Sequence, residues 1–309
     1  MKKTILSVAA VLAVGVTSAS AADLPAKVYT KAPPIVAFDP WDVAFGTSIA
    51  SEYVFRGITQ SNHQPSVAGY IEPRYNINPN LQLYAGVAAA SISFTNRAAV
   101  EIDGYAGIRP TFGPVAFDFG FWYYGYPGGQ CIDTVQGGGA FCPLGSSSIA
   151  NLNVMKKDVS FYEFYGKMNY TFNDVFTAGA SVNYSPNFLN FGTEGTYAAA
   201  TAKITMPSTF FGASGIGSYI SGEYGRQWLG TTDAFYAFTK LPDYNTWNVG
   251  IGFSYKVFTL DLRYTDTDLS SAGCQAITSD FTSNGLTSNW CGSRFVAKLS
   301  ADLSLASVK

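Results

Sequence analysis

The chain has 309 residues, 47% hydrophobic, 16% aromatic and only 13% charged, with a formal net charge of −2. The absence of a basic excess argues against nucleic acid as a partner, and beyond the N-terminus no run of about 18 apolar residues occurs, which excludes helical membrane spans. What the chain offers instead is short segments of alternating polar and apolar residues, joined in turn by very short and by long connections. This pattern indicates an all-β membrane protein, a single antiparallel transmembrane β-barrel.

In chain order, Lys2 and Lys3 precede an apolar stretch from Ile5 to Val16, and Ala19, Ser20 and Ala21 supply small residues where a signal peptidase cuts. Residues 1–21 are therefore read as a signal peptide, which leaves 17 basic against 21 acidic residues, a net of −4. Residues 22–40 carry several prolines and read as an extended periplasmic tail, since proline cannot donate to a ladder. Residues 41–309 form the barrel, with about 12 strands predicted at 41–55, 66–77, 81–94, 99–112, 115–126, 160–172, 175–184, 196–205, 217–227, 244–255, 258–266 and 294–305. An even count suits a single-chain bacterial barrel.

The connections alternate as such a barrel requires, with short periplasmic turns and long extracellular loops, except that 206–216 is long for its side and 95–98 short. Asn78-Pro79-Asn80, Gly113-Pro114, Asn173-Asp174 and Lys256-Val257 are the short turns. The longer links are 127–159, 185–195, 228–243 and 267–293. Across Gly113-Pro114, Arg109 is expected to face Asp118 and Tyr105 to face Trp122, all pointing inward. Across Lys256-Val257, Phe253 meets Leu260 and Ile251 meets Leu262, all outward. Pro73 and Pro110 each remove a ladder donor, and local bulges are expected there. Two aromatic girdles are expected: Trp41, Tyr75, Phe112, Phe172, Phe176, Tyr255 and Phe258 at the periplasmic edge, and Tyr53, Phe55, Phe94, Tyr123, Tyr162, Trp228 and Trp247 at the outer edge.

Four cysteines in an exported chain suggest two disulfides rather than a metal site, because neither close pair has zinc-knuckle spacing. Three connectivities exist, and local pairing, Cys131 with Cys142 and Cys274 with Cys291, is expected, all four lying in extracellular loops. The first pair would tie a glycine-rich knot in the longest loop, expected to fold over the mouth of the barrel, with a solvated surface loop as the alternative.

The segment Ser51-Glu52-Tyr53-Val54-Phe55-Arg56-Gly57-Ile58-Thr59-Gln60-Ser61 closely resembles the first-strand motif of the TorF family of porins. Asp103-Gly104-Tyr105-Ala106-Gly107, Tyr123-Tyr124-Gly125-Tyr126-Pro127 and Tyr264-Thr265-Asp266-Thr267-Asp268 are similar too. The resemblance implies a channel in the outer membrane of a Gram-negative, alphaproteobacterial-like cell, with no defined substrate. The closing residues Leu305 to Lys309 depart from the aromatic ending common among such barrels, which bears on recognition by the barrel-assembly machinery.

Alternation assigns most strand charges to the inner face: Glu52, Arg56, Glu72, Arg74, Glu101, Asp103, Arg109, Asp118, Glu163, Lys167, Lys203, Glu223, Asp261, Arg263, Arg294, Lys298 and Asp302. On the lipid face a basic residue at mid-membrane would cost roughly 2–4 kcal/mol, which sets the orientation. These residues are expected to line a polar pathway. Twelve strands give a backbone diameter of roughly 24 Å and leave about 10 Å inside the side chains, and inward glycines such as Gly46, Gly86, Gly107, Gly120, Gly179, Gly250 and Gly252 are expected to widen it. The function expected is passive diffusion of small polar solutes, with outer-membrane lipids and the assembly machinery as partners and the oligomeric state open. The alternative is a closed structural or surface-interaction barrel. A lone His63 beside Ser61 gives no catalytic triad, so neither enzyme activity nor a cofactor is expected.

Overall fold

The computed structural model describes residues 40–149, 153–207, 209–283 and 285–308. The segment read as a signal peptide and nearly all of that read as a periplasmic tail lie outside the described residues. Alternating residues from Trp41 onwards build twelve barrel strands: β1 (Trp41–Ala50), β2 (Ser66–Asn78), β3 (Leu81–Ser91), β4 (Val100–Phe112), β5 (Val115–Gly125), β6 (Phe161–Thr171), β7 (Phe176–Ser185), β8 (Gly195–Thr205), β9 (Gly217–Leu229), β10 (Tyr244–Tyr255), β11 (Phe258–Thr267) and β12 (Arg294–Ser304). Each pairs antiparallel with its chain neighbours, and β1 pairs with β12 from Ala44 opposite Ser304 to Ala50 opposite Lys298, closing the sheet. Closure leaves no sheet edge, the condition for a β-structure to cross hydrocarbon. No described helix is long and apolar enough to cross a membrane.

The outer face is an apolar belt. Val87, Phe164, Tyr224 and Val249 are each more than half exposed, while the intervening residues on the same strands turn inward. Trp41, Phe112, Phe172, Tyr255 and Phe258 form the exposed aromatic rim at the short-turn end. Tyr105 stands opposite Trp122, Phe253 opposite Leu260, and Ile251 opposite Leu262.

Three expectations are corrected. The first strand stops at Ala50 instead of running to Phe55. Residues 51–60 leave the wall and enter the lumen as a tight hairpin in which Val54 and Phe55 pair with Thr59 and Ile58. Tyr53, Phe55 and Phe94 therefore do not belong to the outer girdle: Tyr53 bonds to Glu101 inside the barrel, Phe55 meets Tyr124 at 5.7 Å, and Phe94 is buried against Tyr126. Nor do the prolines cause bulges. Val43 pairs with Pro73 and Leu81 with Pro110; on the opposite sides the ladders skip positions 72–73 and 109–110 but resume in the same register, and the one register shift in β2 falls between Asn76 and Asn78.

The inward glycines do not widen the lumen: tyrosine rings lie on five of the seven, while Asn169 and Thr201 crowd Gly179 and Arg263 crowds Gly250. Tyr105 stands opposite Gly86, Tyr84 opposite Gly107, Tyr165 opposite Gly120, Tyr70 opposite Gly46 and Tyr219 opposite Gly252. In each pair a Cβ on the glycine would overlap the ring. Aromatic residues laid over cross-strand glycines cover bare backbone and rigidify the wall, and here they also fill the space the glycines vacate.

At the outer end the long loops converge. Ile132, Met155 and Val159 of the longest loop are buried with Phe188, Leu241, Ile277 and Trp290. Helix α1 (Ser271–Thr278), capped by Ser270 accepting from Gly273 N–H at 3.1 Å, meets the same loop through Gln275 Nε2 donating to Asn153 Oδ1 at 2.8 Å. The cysteines pair locally, Cys131 with Cys142 and Cys274 with Cys291, each with Cα atoms 5.8 Å apart. The base of the longest loop covers the mouth, whereas its tip points outward, with Leu144 84% exposed. Within the knot, Asp133 is buried, which raises its pKa, but backbone N–H groups of Cys142, Phe141, Val135 and Thr134 outweigh burial and hold the carboxyl down to about 2.

Candidate functional site: the lumen

The hairpin tip is shaped by sequence. Gly57 adopts φ +79°, and a side chain there would strike Thr246 and Thr267, so only glycine fits between the tip and the ends of β10 and β11. Arg56 takes φ +47° without being glycine, a sparsely populated conformation that persists where surrounding contacts over-determine it. Those contacts span the barrel. From the end of β1, Arg56 Nη1 and Nη2 donate to Glu163 Oε1 and Oε2 on β6 at 2.8 and 2.7 Å, and Nη1 also donates to Gln227 Oε1 on β9 at 3.0 Å. The guanidinium lies 4.4 Å from the Tyr197 ring and 4.5 Å from the Phe55 ring. Arg56 and Glu163 are 4% and 1% exposed. A parallel fork of this kind is the strong form of ion pair, and its burial makes loss of either partner costly.

Glu163 has further donors: Asn183 Nδ2 at 3.2 Å and Tyr124 O–H at 3.3 Å, both to Oε2. Nearby, Tyr197 O–H donates to Glu223 Oε1 at 2.7 Å, while Glu223 Oε2 is buried without a hydrogen-bond partner among the described residues. Tyr53 O–H donates to Glu101 Oε1 at 2.7 Å, and Asp103 shares the buried inner face of β4 with Glu101. Glu52 pairs with Arg294 at 2.7 Å, and the same guanidinium donates to the carbonyls of Asn289, Gly292 and Trp290, tying the hairpin base to the last loop. His63 Nδ1 lies 3.0 Å from Glu52, while Ser61 Oγ donates to Gln64 O.

Below this layer a ladder of aromatic rings occupies the β4–β6 wall. Tyr105 stacks on Trp122 at 4.1 Å, and Tyr124 stacks on Phe161 at 4.5 Å. Nearer the short-turn end a second charged layer appears. Glu72, 0% exposed, accepts from Arg109 Nη1 and Nη2 at 2.8 and 3.2 Å and from Arg74 Nε at 2.5 Å. Arg109 Nε reaches Asp118 at 3.2 Å, and Arg74 approaches Asp42 at 4.0 Å. Tyr84 lies under Arg109, its ring 3.6 Å away, and its hydroxyl bonds to Asp118 and to the Tyr165 hydroxyl.

On the facing strands, Arg263 forks onto Asp261 at 2.9 and 3.0 Å and donates to Asn248 and Ser221. Lys298 stands opposite Asp261 in the β11–β12 register, Lys203 Nζ lies 4.4 Å from the Tyr219 ring, and Lys167 Nζ lies 4.9 Å from the Tyr165 ring. Asp302 accepts from Tyr70 O–H at 3.1 Å.

Many of the charged residues named from alternation thus gather into an outer network around Arg56 and Glu163 and an inner one around Glu72 and Arg109, with a separate Arg263–Asp261 cluster on the facing strands. Two positions differ from the expected wall: Glu52 and Arg56 belong to the inserted hairpin. The residues that sequence reasoning missed are the neutral partners Gln227, Asn183, Tyr197, Tyr84 and Tyr165, whereas Tyr124 was expected to point inward at the lumen's rim. The register that reveals one of them, Tyr84 opposite Gly107 across β3 and β4, is seen only in the folded barrel. Between the outer network and the loops, Phe55, Thr59, Tyr126, Phe161, Tyr244 and Trp290 enclose a void of about 30 Å³, on the scale of a couple of water molecules.

Residues 36–142, about a third of the chain, match the model of a family described as a bacterial protein of unknown function, Gcw_chp. No curated protein matches the chain. Among solved structures it is similar to an outer membrane channel from Pseudomonas putida F1, at 8% identity over 89% of this chain and 100% of that one, with a TM-score of 0.46. It is also similar to LpxR from Salmonella typhimurium, at 11% identity over 84% of this chain and 99% of that one, with a TM-score of 0.42. The toluene transporter TodX of Pseudomonas putida is 10% identical over 87% of this chain and 89% of that one, with a TM-score of 0.39.

Proposed function

We propose that the protein is an outer-membrane channel of porin type for small polar solutes, as the TorF resemblance implies, and that the conformation described here is its closed state. The observation that carries this reading is the nature of the central obstruction. A ten-residue segment, 51–60, crosses the lumen, and its tip is held to the opposite wall by the Arg56 side chain. The wall behind it is lined with charged and hydroxyl groups that gain nothing from an apolar exterior. Withdrawal of the segment towards the extracellular loops would leave a path bounded by the two charged networks. Outer-membrane lipids are the surroundings this reading requires, and the barrel-assembly machinery its route of insertion.

A second reading, a closed structural or surface-interaction barrel, is favoured by the packing of loop residues over the mouth. One experiment separates them. Refolded protein and a variant with residues 53–58 replaced by glycine and serine are compared in planar bilayers and in swelling of sugar-loaded liposomes. The channel reading expects rare openings for the parent and sustained conductance for the variant. If both are folded by heat-modifiable gel mobility yet neither conducts, the closed-barrel reading stands.

A further inference from the structure

The group occupying the centre of the lumen is a guanidinium, and everything that receives it except Phe55 belongs to the wall. Glu163 offers one oxygen to each terminal nitrogen, at 2.8 and 2.7 Å. Gln227 accepts at 3.0 Å, and the Tyr197 ring lies 4.4 Å from the guanidinium carbon. Asn183 and Tyr124 hold Glu163 Oε2 in place. These side chains stand on β5 to β9, so they keep their positions when the hairpin moves. Beside them, Glu223 keeps one buried oxygen without a partner among the described residues, although Tyr197 O–H holds the other at 2.7 Å. With Arg56 withdrawn, the wall would present two carboxylates, an amide oxygen and an aromatic face to a planar donor, the recognition set that suits guanidinium better than a compact ammonium.

We propose that this wall is a binding site for small guanidinium-bearing solutes, and that Arg56 is its tethered occupant, competing with solute for the same carboxylate. The proposal rests on the channel reading for its consequence, admission of such solutes when the hairpin yields, while the binding site itself stands on the geometry. Tethering gives Arg56 an effective concentration on the order of millimolar. Free guanidinium should therefore fail to compete in the parent at micromolar concentrations but fill the site readily once the tethered group is removed.

The test is chemical rescue. Arg56→Ala, and Arg56→Gln as a longer neutral replacement should the alanine variant fail to fold, are refolded in detergent and titrated with guanidinium chloride at millimolar concentrations against equal sodium chloride and methylammonium chloride. Guanidinium is expected to raise the thermal midpoint saturably, more than methylammonium does, with sodium inert. The response should need higher guanidinium concentrations in the parent, where the tethered group competes, and should be absent from the double variant that also carries Glu163→Gln. In bilayers, the same addition should block the current of the Arg56 variant saturably. Equal midpoints in all three salts, or an undiminished guanidinium response in the double variant, overturn the proposal. If no variant conducts, the channel reading falls while the thermal titration still decides the site. If the variants conduct but guanidinium neither blocks nor stabilises, the site falls alone.

Discussion

Glu72 is the residue on which the inner charged network turns. Its carboxylate is fully buried, takes both terminal nitrogens of Arg109 and accepts Arg74 Nε as well. Glu72→Gln keeps the shape and removes the charge, so two arginines lose their common acceptor. Breaking a buried ion pair from one side costs about 3–5 kcal/mol. Arg109 retains Asp118 at 3.2 Å and Arg74 retains Asp42 at 4.0 Å, which places the expected loss near the lower bound, about 3 kcal/mol, or roughly a hundredfold in the folding equilibrium.

Asp118→Asn is the internal comparison. Arg109 and Asp118 side chains are 25% and 22% exposed, and Arg109 keeps its fork on Glu72, so a loss of about 1 kcal/mol is expected. Both are measured by urea unfolding of the barrel refolded into lipid vesicles, followed by tryptophan emission. A Glu72→Gln cost no larger than that of Asp118→Asn would refute the assignment of Glu72 as the shared acceptor.

Two further outcomes are expected. Gly86→Ala drives a methyl group into the Tyr105 ring and should cost about 1–3 kcal/mol by overpacking, whereas Gly104→Ala, with nothing within 4 Å of the new carbon, should leave the urea midpoint unchanged; equal shifts would mean that tyrosines do not seat on the inward glycines. The amide protons of Ala140, Phe141 and Cys142 donate to Asp133 at 3.2, 2.8 and 3.0 Å. Because the folded-state pKa of Asp133 lies about 2, below the ordinary value near 3.9, its stabilisation of the knot is complete above about pH 4 and lost as pH falls through about 2. The chemical shifts of those amides should titrate with that low midpoint, and a midpoint near 4 would contradict it.

The barrel was legible because a membrane wall is written locally. Lipid on one side and polar contents on the other force a period of two along every strand, and turn length alone sets which strands are neighbours. That logic located all twelve strands, carried the Arg109–Asp118 juxtaposition from the Gly113-Pro114 turn, and favoured the local cysteine pairs. It failed where the chain leaves the wall.

Residues 51–55 continue the alternation of β1, so nothing in their pattern distinguishes more strand from an inserted hairpin; the outcome depends on Glu163 and Gln227, more than a hundred residues away, being able to receive Arg56. Likewise, a glycine on the inner face reads as space until a tyrosine on the next strand is seen to cover it. The period of two along the wall, set by solvation, was determined by the sequence itself. The filling of the lumen was decided only by tertiary structure, because it depends on which side chains from distant strands reach the same volume first.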